Sequence, residues 1–435
     1  MNRHAFQDLV RWKASPHRKP LLIRGARQVG KTWLMKEFGR THYEKVAYIN
    51  FESSSAMRNV FQDDFDLARI LLAIQIETRV TVEPENTLLI FDEIQEAGQA
   101  LTSLKYFHEN ASQYHLIAGG SLLGVVLHKN ASFPVGKVDF LDLYPFSFPE
   151  YMEALGQQPL LEAMNKKDWA LVNGFKNRYI QLMKEYCFIG GMPEAILRFL
   201  QTTDLSAVRD VQKQIINSYE QDFSKHAPSE VVHRIRMLWN SIPTQLAKEN
   251  KKFIYATIRT GARAKEYELA MSWLIDCGLV HKVNCVSKPV LPLKAHAEEN
   301  IFKLYIVDIG LMGAMTNLDA RTLLEGNDLF QEFKGALTEQ YVLQQLVTLV
   351  DVSTYYWAPE NARAEIDFLL QYAGRVVPLE VKAAENLKAK SLRTYVDKYN
   401  PTVSFRSSMS PYRQETWMTN LPLYAIHLLP GLIAP

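Results

Sequence analysis

The chain has 435 residues, enough for about three domains of roughly 150 residues each. Hydrophobic residues make up 47% and charged residues 22%, which excludes a wholly disordered, collagen-like or low-complexity chain. The 49 Lys and Arg residues against 47 Asp and Glu leave a net charge of +2. That balance argues against indiscriminate attraction of the whole surface to nucleic acid or acidic lipid.

The cysteine count and the apolar runs bear on the compartment. Cys187, Cys277 and Cys285 form no CxxC pair and leave an odd one over, which favours a reducing environment. The first residues lack the apolar core of about 7–15 residues that a signal peptide carries. No apolar run reaches the length of about 18 residues expected of a membrane span. We therefore expect a cytoplasmic protein with no membrane partner.

Four short apolar runs alternate with helical patterns in the first part of the chain. They cover residues 21–23, 46–50, 88–91 and 115–118. Nearly every residue in them is apolar, as in strands that are covered on both faces. The alternation predicts βαβ units and a parallel sheet.

A phosphate-binding motif follows the first of these runs. It matches G-x-x-x-x-G-K-[ST] and consists of Gly25, Ala26, Arg27, Gln28, Val29, Gly30, Lys31 and Thr32. Backbone N–H groups of such a loop curl around phosphate oxygens, and the helix that follows adds its dipole. Lys31 is expected to reach the β- and γ-phosphates, and Thr32 to ligate Mg²⁺. The chain has no N/T-K-x-D guanine signature, which favours ATP over GTP.

Polar side chains follow two other predicted strands. Asp92 is expected to hold Mg²⁺ together with Thr32, and Glu93 to polarise the attacking water. Ser121 follows the run 115–118 and is a candidate sensor of the γ-phosphate. The acid directly after Asp92 suits water activation, which favours hydrolysis over the alternative of a small-molecule kinase.

The segments RGARQVGKT, LLIFDEIQ, LIAGGSLLG and LYPFSFPEY together resemble the bacterial and archaeal AAA-type ATPases that carry a C-terminal domain of unknown function. The segments GGMPE, KGALTEQ and EIDFLL match as well, so the resemblance spans nearly the whole chain. That family usually has an arginine after the glycine at Gly136. Here Lys137 stands there without the planar guanidinium fork, which leaves Arg24 and Arg27 as alternative phosphate partners.

Helical patterns dominate residues 151–225, and residues 226–324 read as helices followed by β-rich sequence. The latter segment resembles a winged helix, as the family implies. It carries a basic cluster of Lys248, Lys251, Lys252, Arg259, Arg263 and Lys265. These side chains are candidates for contacts to DNA phosphates. The alternative is an ordinary solvated helix face.

The C-terminal part places several acids together. Glu339 lies among apolar positions of a predicted helix and needs a partner. Residues 365–371 and 376–382 read as a hairpin around 373–374, which puts Asp367 opposite Glu380 and Glu365 opposite Lys382. Like charges opposite one another are unfavourable. A divalent metal between them would resolve the conflict, with Lys382 beside it.

This set resembles the restriction-endonuclease-like superfamily. The resemblance implies that Asp367 and Glu380 bind a second Mg²⁺ or Mn²⁺, that Glu339 supports the metal, and that Lys382 orients or activates water. Candidate phosphate contacts on the next helix are Lys388, Lys390 and Arg393. The alternative is a nuclease-like fold that is used only for binding or assembly.

The sequence thus predicts an α/β protein in four segments. They are a P-loop AAA-type ATPase core with a parallel sheet over 1–150, a helical lid over 151–225, a winged-helix-like segment over 226–324 and a restriction-endonuclease-like α/β domain over 325–435. The predicted function is Mg²⁺-dependent ATP hydrolysis that controls a nucleic-acid-directed C-terminal domain. The alternative is a nucleotide-gated switch or scaffold that recruits a protein partner. A homo-oligomer is also open.

Overall fold

The computed structural model describes residues 1–121, 134, 136–248, 251–325, 331–359, 364–383 and 389–434. It divides the chain into two compact units. The first comprises Met1–Tyr144 with Asp276–Leu279, and the second Pro145–Ile275 with Val280–Pro435. The search for a helix long and apolar enough to cross a bilayer, made over the described residues, finds none. Lys388 lies outside the described residues.

A five-stranded parallel sheet forms the centre of the first unit. Its strands are β1 (Leu21–Arg24), β2 (Lys45–Asn50), β3 (Thr87–Asp92), β4 (His115–Gly119) and β5 (Asp139–Asp142), in the order β2-β3-β4-β1-β5. The four predicted strands and their parallel pairing are confirmed. Strand β5 was not predicted, because its sequence DFLD alternates half-buried with exposed residues and has no continuous apolar run.

Helices flank this sheet. They are α1 (Ala5–Ala14), α2 (Lys31–His42), α3 (Ser55–Asp63), α4 (Leu67–Thr78) and α5 (Gly98–Asn110), with a 3-10 turn at Ile94–Glu96. Every residue of β3 and β4 is buried. Helix packing on both faces accounts for the apolar runs 88–91 and 116–118 in the middle of these strands. The fold therefore gathers Asp92 and Gly119 at one edge of the sheet, where they pair in register.

The second unit begins with a run of helices. These are α6 (Phe148–Ala154), α7 (Gln158–Asn165), α8 (Trp169–Gly174), α9 (Lys176–Ile189), α10 (Pro193–Thr202), α11 (Leu205–His226), α12 (Ser229–Leu246) and α13 (Ala264–Asp276), the last ending in the first unit. Further along are α14 (Ile309–Met315), α15 (Ala320–Glu325), α16 (Gln331–Leu346), α17 (Lys390–Tyr399) and α18 (Pro430–Ile433). The 3-10 turns are Tyr255–Thr257, Leu293–His296 and Leu423–Leu428.

A mixed eight-stranded sheet completes the second unit. Its strands are β6 (Val280–Val286), β7 (Ala297–Ile306), β8 (Ser353–Trp357), β9 (Ile366–Tyr372), β10 (Arg375–Val381), β11 (Phe405–Ser408), β12 (Arg413–Gln414) and β13 (Thr419–Pro422). Their order is β12-β13-β11-β10-β9-β8-β6-β7. The predicted hairpin register is confirmed from the pair Tyr372–Arg375 to the pair Phe368–Leu379. Strands β6 and β7, which the sequence analysis assigned to the winged-helix-like segment, share this sheet with the C-terminal strands.

Buried glutamines on α16 fix the helix against neighbouring backbone. The Gln340 side chain accepts a hydrogen bond from Ile306 N at 3.1 Å and donates one to Ile306 O at 2.7 Å. Gln344 accepts from Ile309 N at 2.8 Å, and Gln345 accepts from Phe148 N at 2.7 Å. These bonds satisfy polar groups that burial would otherwise leave unpaired. They also set the position of the preceding residue, Glu339.

Candidate functional site

The phosphate-binding motif forms a tight loop between β1 and α2. Gly25 has a φ of +145°, and a Cβ atom there would lie 2.1 Å from Leu143 O, so only glycine fits. The buried Arg3 guanidinium donates to Val29 O at 3.1 Å and to Tyr144 O at 2.6 Å. Sequence reasoning missed Arg3, because it stands far from the motif and belongs to no pattern.

Lys31 is buried inside this loop. Its Nζ atom donates to Gly25 O at 2.8 Å and to Ala26 O at 2.7 Å. Burial lowers the pKa of Lys31 to about 8, although the carboxylates of Glu93 and Asp92 oppose this shift. The ammonium group therefore lies where the loop curls, which is the position that phosphate binding requires.

Asp92 and Thr32 lie together as predicted for a magnesium site. Thr32 Oγ1 donates to Asp92 Oδ2 at 2.8 Å, and Asp92 is only 2% exposed. Tyr48 on the adjacent strand also donates to Asp92 Oδ2 at 2.8 Å. Burial raises the pKa of Tyr48 to about 12, so Tyr48 remains a donor at neutral pH. Hydroxyl and carboxylate oxygens are ligands that Mg²⁺ prefers, and these residues fit that ion.

Glu93 is held by two neighbours. It has a φ of +50°, and its Oε2 atom accepts from Gln95 Nε2 at 2.5 Å and from Ser121 Oγ at 3.4 Å. Arg27 Nε in turn donates to Ser121 Oγ at 3.1 Å. The structure thus brings Arg27, Ser121 and Glu93 together in one chain of hydrogen bonds. Gln95 was not a candidate from the sequence, since a glutamine two residues after an acid has no motif of its own.

The basic residues weighed as phosphate partners have different surroundings. Lys137 forms an ion pair with Glu109 at 2.9 Å. Arg24 forms two hydrogen bonds with Asp142, at 2.8 and 2.9 Å. Arg24 and Arg27 were the alternatives to Lys137 as phosphate partners. Within the described residues, only Arg27 of these two is connected by hydrogen bonds, through Ser121, to Glu93.

The second group of predicted residues surrounds Glu339 in the second unit. Glu339 is 4% exposed and accepts hydrogen bonds from Lys251 and from Tyr305, the latter at 3.2 Å. Lys303 Nζ lies 3.5 Å from Glu339 and 2.5 Å from Glu365, and Lys303 is fully buried. The expectation that Glu339 needs a partner is met by lysines from elsewhere in the chain.

The hairpin acids also have partners within the protein. Asp367 Oδ2 accepts from Val381 N at 2.7 Å, and Glu380 forms an ion pair with Lys382 at 2.7 Å. Glu365 does not face Lys382 in the ladder, as the sequence analysis expected. Strand β9 begins at residue 366 and β10 ends at residue 381, so the ladder stops short of that pair.

Burial and neighbouring charges set the protonation of this cluster. Burial disfavours the ionised form of Glu339, but Lys303 and Lys251 outweigh it and lower the pKa to about 2. Burial and the charge of Glu339 together raise the pKa of Asp367 to about 7. The predicted metal ligands Glu339, Asp367 and Glu380 thus already accept hydrogen bonds or ion pairs from protein groups. Within the described ranges, no group of three or more His, Cys, Asp and Glu side chains is arranged to hold a metal ion.

The basic cluster predicted to face DNA is partly occupied by contacts within the chain. Lys248 donates to Thr257 Oγ1 at 3.0 Å, Arg259 lies 3.4 Å from Glu266, and Lys251 pairs with Glu339. On α17, Arg393 pairs with Asp397 at 2.9 Å. DNA contact through either cluster stays a prediction.

A cavity of about 1380 Å³ opens over the acid cluster. Its charged lining residues are Lys251, Lys252, Lys288, Glu298, Glu365, Asp367, Glu380, Lys382 and Lys398, and its aromatic ones are Tyr356, Trp357 and Tyr399. Carboxylates therefore lie beside lysines in one large polar pocket.

Three families match separate parts of the chain. Residues 17–152 match the family described as an AAA domain. Residues 180–322 match a domain of unknown function (DUF8612), and residues 334–426 match another (DUF4143). The first part of the chain thus matches the AAA domain family, as the phosphate-binding motif predicts. The C-terminal part belongs to DUF4143, as the resemblance stated from the sequence implies.

The similar proteins either match only a short part of this chain or share low sequence identity with it. Uncharacterized proteins of Mycobacterium bovis and Mycobacterium tuberculosis are each 36% identical over 81 residues, 18% of this chain. That match covers only 17% of the length of either relative. A Walker-type ATPase of Pyrococcus abyssi is 14% identical with a TM-score of 0.44, covering 72% of this chain and 95% of that one. The Aeropyrum pernix ORC1 protein in complex with DNA is 12% identical with a TM-score of 0.31, covering 73% and 93%.

Proposed function

We propose that this chain binds ATP with Mg²⁺ at residues 25–32 and hydrolyses it. The observation that carries the proposal is the hydrogen bond of 2.8 Å from Thr32 to Asp92, next to the buried Lys31. The AAA domain match over residues 17–152 supports it. Mg²⁺ held by Thr32 and Asp92 would neutralise charge on the phosphate oxygens.

Each polar residue has a distinct role in the proposed reaction. Lys31 exchanges its two carbonyl partners for phosphate oxygens. Glu93 accepts a proton from the attacking water, because it is the acid next to the predicted metal ligand. Gln95 and Ser121 hold its carboxylate in place, and Arg27 reaches this group through Ser121.

Phosphate release from ATP, without any acceptor substrate, tests the proposal and separates it from a kinase. We expect Glu93→Gln to lower kcat by about 10²–10⁴-fold while the nucleotide still binds. Lys31→Met should weaken nucleotide binding itself. Lys105→Met removes an exposed lysine of α5 and serves as the matched control. Unchanged hydrolysis in Glu93→Gln would show that another group activates the water.

A second part of the proposal concerns the C-terminal domain, whose action the nucleotide state would control. The cavity of about 1380 Å³ with its five lysines favours a nucleic-acid ligand over a small apolar one. Cleavage by Asp367, Glu380 and Lys382 is tested by incubating plasmid DNA with ATP and Mg²⁺ or Mn²⁺. Loss of cleavage in Asp367→Ala would assign the reaction to this site.

The scaffold alternative gives a different outcome in the same assays. It requires ATP-dependent association with a protein partner and no cleavage under any metal condition. A comparison of oligonucleotide affinity with and without ATP, in the wild type and in Lys31→Met, tests the nucleotide control. If the oligonucleotide affinity is the same with and without ATP, then nucleotide binding does not control nucleic-acid binding.

A further inference from the structure

Ammonium groups of the chain itself balance the carboxylates of the C-terminal cluster. Lys303 bridges Glu365 at 2.5 Å and Glu339 at 3.5 Å. Lys251 also binds Glu339, and Lys382 binds Glu380 at 2.7 Å. Three ammonium groups thus lie among four carboxylates, counting Asp367. The cluster is close to neutral without any added ion.

A divalent cation does not fit between these carboxylates as they are placed. Between Glu339 and Glu365 it would have to displace Lys303, since the Nζ atom of this side chain reaches both carboxylates. At Glu380 it would have to displace Lys382, which pairs with that carboxylate at 2.7 Å. Lys303 is 0% exposed, so its charge has no access to water. Displacing it would leave a buried charge without its partners, which is strongly unfavourable. The metal centre that the nuclease-like resemblance implies therefore disagrees with the observed contacts.

Lysines on the wall of the cavity have a different arrangement. In the described part of the chain, Lys288 and Lys398 form no ion pair, and both are exposed. Lys398 Nζ lies 5.1 Å from the centre of the Tyr399 ring. Exposed ammonium groups, together with an aromatic ring such as that of Tyr399, form the kind of surface that single-stranded nucleic acids use, by phosphate contact and base stacking. The cavity also exceeds the roughly 300–1,000 Å³ of an ordinary small-molecule pocket.

We propose that this cavity binds the phosphate backbone of single-stranded nucleic acid without a divalent metal. Lys288 and Lys398 contact the phosphates. Lys303 is a positioning residue that takes the place of a metal ion and holds Glu339 and Glu365. The inference rests on the proposed nucleic-acid role of the C-terminal domain. It goes further because it specifies single-stranded nucleic acid as the ligand and the Lys303 ammonium as the cation between the carboxylates.

Fluorescence anisotropy of a labelled oligothymidylate with the full chain tests the ligand. We expect a Kd in EDTA within about twofold of that in Mg²⁺ at matched ionic strength, since phosphate contacts depend on salt and not on a bound metal. The double variant Lys288→Glu/Lys398→Glu should weaken binding by about tenfold or more and reduce the salt slope by about 2. The double variant Lys105→Glu/Lys166→Glu makes the same charge change on exposed lysines that do not line the cavity, and should leave Kd unchanged.

Calorimetric titration with Mn²⁺ alone tests the role of Lys303. We expect the wild type and Asp367→Asn to give the same heat of Mn²⁺ binding, because Asp367 holds no metal ion in the wild type. Lys303→Met should show an additional heat from Mn²⁺ binding to the freed carboxylates. Lys303→Arg keeps the positive charge and should show no additional heat. Wild-type Mn²⁺ binding that Asp367→Asn abolishes, or oligonucleotide binding that EDTA abolishes, would overturn the inference alone. No oligonucleotide binding under any condition would overturn the proposed nucleic-acid role as well.

If Lys303→Met does not fold, the oligonucleotide Kd of the wild type in EDTA and in Mg²⁺ still decides whether binding needs a divalent metal. Phosphate release from ATP is measured separately in every variant. It reports on the P-loop site and does not depend on the C-terminal cavity.

Discussion

Gly191 is the position where one added methyl group should be most disruptive to the second unit. A Cβ atom there would lie 2.2 Å from Phe146 O and 2.8 Å from Phe146 N, both backbone atoms that no rotamer change can move. The two segments cannot simply separate, because Phe146 N donates to Gly191 O at 2.7 Å. Gly191 N also donates to Asp308 Oδ2 at 2.6 Å. Gly191→Ala therefore forces a backbone shift that breaks two buried hydrogen bonds.

The size of the effect follows from these contacts. Overpacking costs about 1–3 kcal/mol, a neutral hydrogen bond contributes about 0.5–1.5 kcal/mol and one to a carboxylate about 1.5–3 kcal/mol. Together these give a loss of about 3–7.5 kcal/mol, against about 5–15 kcal/mol for the whole stability of a typical domain. We expect Gly191→Ala to unfold at a much lower urea concentration in a tryptophan-fluorescence titration, or to accumulate as insoluble protein.

Gly174→Ala provides the matched control. Gly174 ends α8, and a Cβ atom there would meet nothing within 4 Å. Alanine should be neutral there or stabilising by up to about 1 kcal/mol. Equal urea midpoints for Gly191→Ala and Gly174→Ala would contradict this prediction, because they would mean that the backbone at Phe146 shifts at little cost in free energy.

Three further predictions concern the nucleotide site. Burial lowers the pKa of Lys31 to about 8, so the ammonium is present near neutral pH and is lost as pH rises through 8. The Kd of a fluorescent ATP analogue should therefore rise above pH 8, and a Kd constant to high pH would contradict this. Gln95→Ala should slow hydrolysis by about tenfold with unchanged nucleotide Kd, since it only frees the Glu93 carboxylate; a matching rise in Kd would instead indicate a disturbed fold. Arg3→Met should weaken nucleotide binding and lower stability by about 1–3 kcal/mol, measured by titration and thermal unfolding, because Val29 O and Tyr144 O lose a buried donor.

The first unit was largely predictable because its signals are local. The four predicted strands, β1 to β4, contain short apolar runs, and Lys31, Thr32 and Asp92 follow from the spacing within a loop and at a strand end. Strand β5 was missed because an alternating edge strand of four residues has no such signal. The match of residues 17–152 to the AAA domain family confirms the predicted AAA-type fold, whereas the roles of its individual residues stay predictions.

The C-terminal cluster shows where sequence reasoning ends. The hairpin register was predictable because the two strands are adjacent and their turn sets the pairing. The ion pair of Lys303 with Glu365 was not predictable, since 62 residues separate the two and no spacing rule links them. The only sequence signal is a lysine in an otherwise apolar stretch between Phe302 and Leu304. The lysine partners of Glu339, which decide whether a metal fits, are tertiary contacts.

The hydrogen bonds between Gln340 and Ile306 have a consequence for aggregation. Strand β7 is the last in the order of its sheet, and such an edge normally offers unpaired N–H and C=O groups to a strand of another molecule. The Gln340 amide carries the same donor and acceptor as a peptide group and binds both groups of Ile306. A foreign strand must displace this side chain before it can pair there. A helix residue thus closes the edge at this point against amyloid-like growth.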